Sequence, residues 1–339
     1  MMWTEEKLNA LQTAPSDALI ADMKKIDGDM IVLGAGGKMG PTLCVLAKNA
    51  ARKAGIEKRV IAVSRFSDPI ALQYLHENGV ETVSADLLDT DALAALPNVK
   101  NVIFMAGRKF GTDGSEHLTW AMNASLPAFV AKKYKDARIV SFSSGNVYPI
   151  VPLSHGPCTE DDKAAPIGEY AMSVLARERA FEYASKAYGT KVFNFRLCFS
   201  VDLRYGVLYD CAEKIMSGTP ISLANPVLNC IWQGTAIENA IRALLLAESP
   251  MRTMNIVGPE TLSVRSVCEK LGRLLGKTPI YACEEGNSAY IFGGGKMCET
   301  FGYPAVDAET LIEWQAQYIL DGARTLNKPT HFEERKGSY

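Results

Sequence analysis

Residues 30–40 read MIVLGAGGKMG, and the change of character along this stretch decides the fold. Met30 to Leu33 form an apolar run of the kind a strand buried on both faces requires. Glycines follow at 34, 37 and 40, and beyond them Met39, Leu43, Leu46 and Ala47 recur at helical spacing. Strand, tight turn and helix are predicted in that order. Each glycine then has its own reason: Gly34 permits the reversal, Gly37 lets backbone approach a bound group, and Gly40 lets the helix pack on the strand. The amides of Lys38 and Met39 point from the helix N-terminus toward phosphates. In this setting the turn is read as a cradle for a dinucleotide's pyrophosphate, not as a simple reversal of the chain.

Outward from this unit the alternation repeats. Apolar strands are predicted at 59–64, 81–85, 100–105, 138–143 and 191–198, and helices near 68–78, 90–95, 117–134 and 168–188. Apolar strands separated by helices make a parallel sheet covered on both faces and joined by right-handed crossovers. The fold class is therefore α/β, a doubly wound parallel (Rossmann) sheet over residues 28–200 with a late return near 234–258. Residues 1–27 read as a helical arm, with Thr4 and Ser16 as caps and acidic residues in the first turns. Past residue 200 the strands shorten and turn residues multiply. Residues 201–339 therefore read as a smaller C-terminal α+β lobe, laid over the sheet's carboxyl edge to supply substrate contacts. The polar tail NKPTHFEERKGSY reads either as a docking strap or as a frayed end, with fraying the default for a terminus.

At 339 residues and 47% apolar content the chain can bury a large core, alone or with a smaller one. A net charge of -2, without basic runs longer than two residues, argues against nucleic acid. The acidic, amphipathic start lacks an apolar signal core, and no apolar run approaches about 18 residues. The expectation is a soluble, cytoplasmic protein with no membrane partner. Eight scattered cysteines without a CxxC pair read as reduced, buried thiols with no metal site. Four isolated histidines offer no histidine-centred mechanism.

The second strand ends at Ser64-Arg65, where a carboxylate would otherwise hold an adenosine ribose. A guanidinium there suits a 2′-phosphate, so the pair favours NADP over NAD. Asp86-Leu87 closes the third strand where adenine would lie. Met105-Ala106-Gly107 ends the fourth, beside the expected nicotinamide ribose. VSFSSGNVYP at 140–149, Glu160, Pro166 and the run Tyr170 to Glu178 follow in order.

Taken together, over roughly residues 28–200 and more faintly beyond, these pieces resemble the extended short-chain dehydrogenase/reductases, the NAD-dependent epimerase/dehydratase family. The resemblance implies that Ser144 hydrogen-bonds the substrate oxygen, and that Tyr170 moves a proton as hydride passes to or from nicotinamide. It also implies a homodimer paired through the helices near 117–134 and 168–188, and a small sugar-like substrate. A phenol of pKa about 10 can accept a proton near neutral pH only if its anion is stabilised. In the family a lysine four places after the tyrosine does this. Here that place holds Val174.

The candidate substitute cations are the oxidised nicotinamide ring itself and the side chains of Arg177, Arg179 and Lys109, each of the three expected as a solvated surface charge. Where the family shows an arginine and a valine-aspartate-aspartate run, this chain has Trp232, Gln233 and Gly234, either packing at the lobe junction or walling the substrate site. Arg196 and Arg204 near the lobe boundary could bind an anion or be structural. The leading expectation is an NAD(P)-dependent enzyme that reversibly oxidises a carbinol of a sugar or sugar-derived acid. The alternatives are a dinucleotide-binding regulator or silent subunit, and an enzyme that never releases its cofactor.

Overall fold

The structure, a computed structural model, describes residues 2–338. Its centre is a seven-stranded parallel sheet: β1 (Met30–Leu33), β2 (Val60–Ser64), β3 (Glu81–Ser84), β4 (Asn101–Phe104), β5 (Arg138–Ser144), β6 (Lys191–Leu197) and β7 (Arg252–Ile256). The order across the sheet is β7-β6-β5-β4-β1-β2-β3, which is the doubly wound arrangement predicted. β7 is the late return. It pairs with β6 through Arg252–Ile256 against Phe193–Leu197.

The apolar run of β1 is explained by the pleat. All four residues are fully buried, yet Met30 and Val32 enter one core while Ile31 and Leu33 enter the other. β2 repeats the pattern, Val60 and Ala62 on one side, Ile61 and Val63 on the other. Each of the larger of these side chains, the valines, isoleucines, leucine and methionine, contributes about 1.5–3 kcal/mol on leaving water. A third core unites the smaller lobe, where the helices Val207–Ser217, Val264–Leu275 and Ala308–Leu320 pack together.

The N-terminal arm is part of both bodies. Thr4 and Ser16 cap the helices Glu5–Gln12 and Asp17–Met23, their side chains accepting from Lys7 and Leu19 amides. Leu19 and Met23 join a core of the sheet, whereas Trp3 and Leu8 join that of the lobe, with Trp3 edge-on to Trp314 at 5.5 Å.

Two expectations need correction. The helix near 117–134 is two α-helices, Glu116–Trp120 and Leu126–Lys133, joined by a π-helical turn at Ala121–Ser125. As far as Ser338 the tail is a docking strap and not the default frayed end. Thr330 donates to Asp210 through both its amide and its hydroxyl, Glu333 accepts from the Ser222 amide at 2.7 Å, and Arg335 donates to Ser288 O at 2.8 Å. Polar composition alone suggested fraying, but these groups find matched partners on the lobe. No helix among the described residues is long and apolar enough to cross a membrane, and no group of three or more histidine, cysteine, aspartate or glutamate side chains among them could hold a metal ion. The cysteines are all free thiols, and only Cys283 is exposed.

Candidate active site

Between β1 and β4 the strand order turns back on itself, and there the carboxyl ends of the strands splay apart to form a crevice. The crevice is a cavity of about 340 Å³ bordered by Gly34, Gly37, Lys38, Met39, Gly40, Gly107, Ser144 and Tyr170. It meets a second cleft along Gly37, Lys38, Gly107 and Phe110, so together they form an elongated trough.

The glycine turn is built for close approach. Gly34 has φ +90°, and a Cβ there would lie 2.5 Å from the Ala106 amide nitrogen. A Cβ on Gly40 would lie 2.3 Å from Ala35 O, so the helix Gly40–Lys53 reaches the strand only without a side chain. At Gly37 a Cβ would meet nothing nearer than Gly34 O at 3.6 Å and would stand in the cavity. A bare, open cradle at a helix N-terminus fits a diphosphate. Lys38 and Met39 border it.

The other candidate contacts lie around this turn. Ser64 sits beneath Gly36, its Oγ 2.5 Å from where a Cβ would be. Arg65 and Asp86 are exposed at the strand ends, 3.9 Å apart as an ion pair. Leu87 is buried in a sheet core, and Ala106 backs the turn at Gly34.

Ser144 ends β5 and Tyr170 stands in the first turn of the helix Gly168–Tyr188, which packs against that strand. Their side chains hydrogen-bond. Burial pushes the Tyr170 phenol above its usual range, while the charge of Arg177 and the Ser144 bond pull it back. Val174 is buried in an apolar cluster with Val147, Tyr148 and Cys198.

Arg177 is not a surface charge. It is 5% exposed and borders the cavity, with Nη1 donating to Phe142 O at 2.7 Å and Nη2 to Asn123 Oδ1 at 2.8 Å. Burial lowers its pKa to about 10. The fault in the surface reading was one of orientation: position 177 lies two turns beyond Tyr170, on the same helix face. Asn123, which the sequence did not single out, sits in the π turn. It accepts from the Arg108 amide, donates back to Arg108 O and donates to Ser173 Oγ. The wider π turn aims this amide toward the loop after β4; π turns are frequent at functional sites.

Lys109 is half-buried, its ammonium 5.8 Å from the Tyr170 ring centre and donating to Thr330 O at 3.3 Å. Burial lowers its pKa to about 8. Lys38 lies over the Tyr205 ring at 3.2 Å, and burial together with the charges of Lys109 and Lys328 brings it to about 7. Arg179 alone of the three substitutes is exposed, paired with Glu182. Arg196 and Arg204 are both structural, buried in paired contacts with Glu178 and Asp202. Trp232 packs edge-on to Trp314 in the lobe core, whereas Gln233 reaches the cavity wall and donates to Gln12 Oε1 at 2.8 Å.

The parallel sheet, the glycine turn at its switch point and the serine and tyrosine across the crevice define a short-chain dehydrogenase/reductase of the extended type. The chain belongs to the NAD dependent epimerase/dehydratase family, whose model matches residues 30–201. No curated protein matched the sequence.

Among solved structures it is similar to the UDP-glucose 4-epimerase of Thermus thermophilus complexed with NAD, at 19% identity and a TM-score of 0.69, covering 86% of this chain and 99% of that one. It is also similar to the dTDP-glucose 4,6-dehydratase of Bacillus anthracis str. Ames in complex with NAD, at 16% identity and a TM-score of 0.72, covering 86% and 96%. The UDP-glucuronic acid 4-epimerase of Bacillus cereus with NAD matches at 17% identity and a TM-score of 0.69, covering 86% and 98%. At such identities the likeness establishes the fold.

Proposed function

We propose that the protein is an oxidoreductase that reversibly oxidises a carbinol of a sugar or sugar-derived acid, with Ser144 and Tyr170 at the reacting oxygen. The observation that carries this reading is that the two side chains bond to each other on the wall of the same cavity that the glycine turn floors. A nicotinamide dinucleotide on the turn would supply the hydride acceptor. The Ser144 hydroxyl holds the substrate oxygen, and the Tyr170 phenol takes its proton as the carbon is oxidised or returns it on reduction. Phe110, Phe199, Tyr205, Tyr290 and Phe292 give the cavity aromatic walls suited to the apolar face of a sugar ring. Family and similar structures support this class of chemistry.

The cofactor we assign is NADP in preference to NAD. The support is Arg65, exposed at the end of β2 and held only loosely by Asp86, with room to pair with a 2′-phosphate. The similar structures carry NAD, so the choice rests on this one residue.

The test is a panel of polyols and sugar acids followed by the absorbance of reduced nicotinamide. Tyr170→Phe should lose turnover by about 10²-fold or more, as expected for removal of a general base. Because the phenol is pushed up, alcohol oxidation should climb with pH through the alkaline range, while carbonyl reduction, which needs the neutral phenol, should hold to higher pH. Arg65→Ala should weaken NADP binding and leave NAD unchanged. Turnover indifferent to Tyr170→Phe would refute the assignment.

One observation favours a second reading, a dinucleotide-binding regulator or silent subunit: Val174 stands in a dry apolar cluster, with no lysine. That protein would bind dinucleotide and turn nothing over. An enzyme that keeps its cofactor would instead purify with the dinucleotide bound.

A further inference from the structure

The turn of helix that carries Val174 has no charge to lend. One turn further on, the same helix face carries the buried guanidinium of Arg177, which borders the cavity with Tyr170. The other nearby cation, Lys109, reaches from the loop after β4 to 5.8 Å from the Tyr170 ring centre. We propose that Arg177 is the positioning residue that holds the Tyr170 anion and offers its Nε–H to the nicotinamide half of the dinucleotide. The inference rests on the oxidoreductase reading.

Residues seven apart on an α-helix fall within about 20° of the same direction, so Tyr170 and Arg177 share a face. The guanidinium is fixed there by two neutral oxygens, Phe142 O and Asn123 Oδ1, which orient it without cancelling its charge. Asn123 is itself locked by three bonds to Arg108 and Ser173. Arginine stays ionised where a buried lysine would readily lose its proton. At a pKa of about 10 this one is charged throughout the neutral range.

Two further features point at a ligand. Arg177 Nε is buried and has no hydrogen-bond partner, a donor left without an acceptor. Gly107, at the end of β4, leaves the opening: a Cβ there would lie 2.7 Å from Arg177 Nη2. Glycine at 107 and arginine at 177 are therefore linked by space, and both border the cavity that holds Tyr170.

The experiment compares holoenzyme pH profiles for alcohol oxidation with dinucleotide and ADP affinities. Arg177→Met and Arg177→Gln remove the charge by two routes, so a folding failure in one leaves the other. Either should move the Tyr170-dependent limb up by about one unit or more, and thereby slow oxidation at pH 7 about tenfold. Arg177→Lys should lie between these and the parent, and Val174→Lys added to Arg177→Met should bring the limb back down. Dinucleotide affinity should fall about tenfold while affinity for ADP, which lacks the nicotinamide half, is kept.

An unmoved limb in a folded neutral variant overturns the assignment, as does an equal loss of ADP and dinucleotide affinity. A parent enzyme with no Tyr170-dependent limb would refute the oxidoreductase reading instead. Arg177 would then stand or fall on the comparison of ADP with dinucleotide.

Discussion

Gly34 and Gly37 belong to one turn but are required for different reasons, and alanine separates them. At Gly34 the backbone is left-handed, with φ +90°, and the added methyl would press on the Ala106 backbone, which cannot step aside. Strain of this kind costs about 1–3 kcal/mol before the clash is counted, so Gly34→Ala should lower the thermal midpoint and dinucleotide affinity together. Gly37→Ala should leave the midpoint in place, because its methyl meets only Gly34 O at 3.6 Å. The methyl would occupy the cavity, so affinity should still drop about tenfold or more, worth about 1.4 kcal/mol. Thermal unfolding and titration calorimetry on the two variants check this; a Gly37→Ala protein with full affinity would remove the diphosphate from the turn. This difference was legible at residues 34–40 because it is local. Arg177 was not, because its reach depends on the absence of a side chain at Gly107, on another part of the chain.

At the scale of elements, the helix Gly168–Tyr188 is held to the sheet by a buried ion pair. Glu178 accepts from Arg196 Nε at 2.9 Å and Nη2 at 2.8 Å, and also from Ser143. Arg196 Nη1 donates to the Tyr148 hydroxyl, which donates to Asn255 Oδ1, so helix, β5, β6 and β7 are tied together. Burial alone would raise the Glu178 carboxyl, but the bonds and charge of Arg196, with Ser143, hold it below its ordinary value. A carboxyl depressed in the folded state adds stability that is present above its unfolded pKa of about 4.3 and is lost as pH falls through the lower folded value. Glu178→Gln leaves Arg196 buried without its counter-ion and should cost about 3–5 kcal/mol at pH 7. In urea unfolding the gap from the parent should narrow below about pH 4; a gap constant with pH would show that the pair contributes packing but no charge. The sequence announced the strands through their apolar runs and most helices through spacing and caps. It could not announce the π turn at Ala121–Ser125, which has ordinary helical composition and is recognised only in how Asn123 meets Arg108.

For the whole molecule, the helices Glu116–Trp120, Leu126–Lys133 and Gly168–Tyr188 cover one face of the sheet and leave an apolar surface outward. Leu118, Ser125 and Phe129 recur at helical spacing along one edge, and Met172, Ala176 and Tyr183 along the other, where the charged Arg179, paired with Glu182, interrupts the stripe. Phe129 is 44% exposed and Tyr183 63%. Two parallel stripes on adjacent helices can meet their own copies across a two-fold axis, making a four-helix contact that is self-complementary. We propose this surface as the one a second copy of the chain would cover. Such a contact must bury about 1,200–2,000 Å² in total to persist. A carboxylate at its centre would lose its water on association, which is costly without a partner. Phe129→Asp combined with Tyr183→Asp should therefore give a monomer in sedimentation equilibrium, with the thermal midpoint of the isolated fold little changed. The active-site groups Ser144, Tyr170 and Arg177 lie on the inward face of the same helix or on the sheet, so dinucleotide affinity should survive dissociation. A parent protein that is already monomeric at micromolar concentration would show that these stripes have no partner of their own kind.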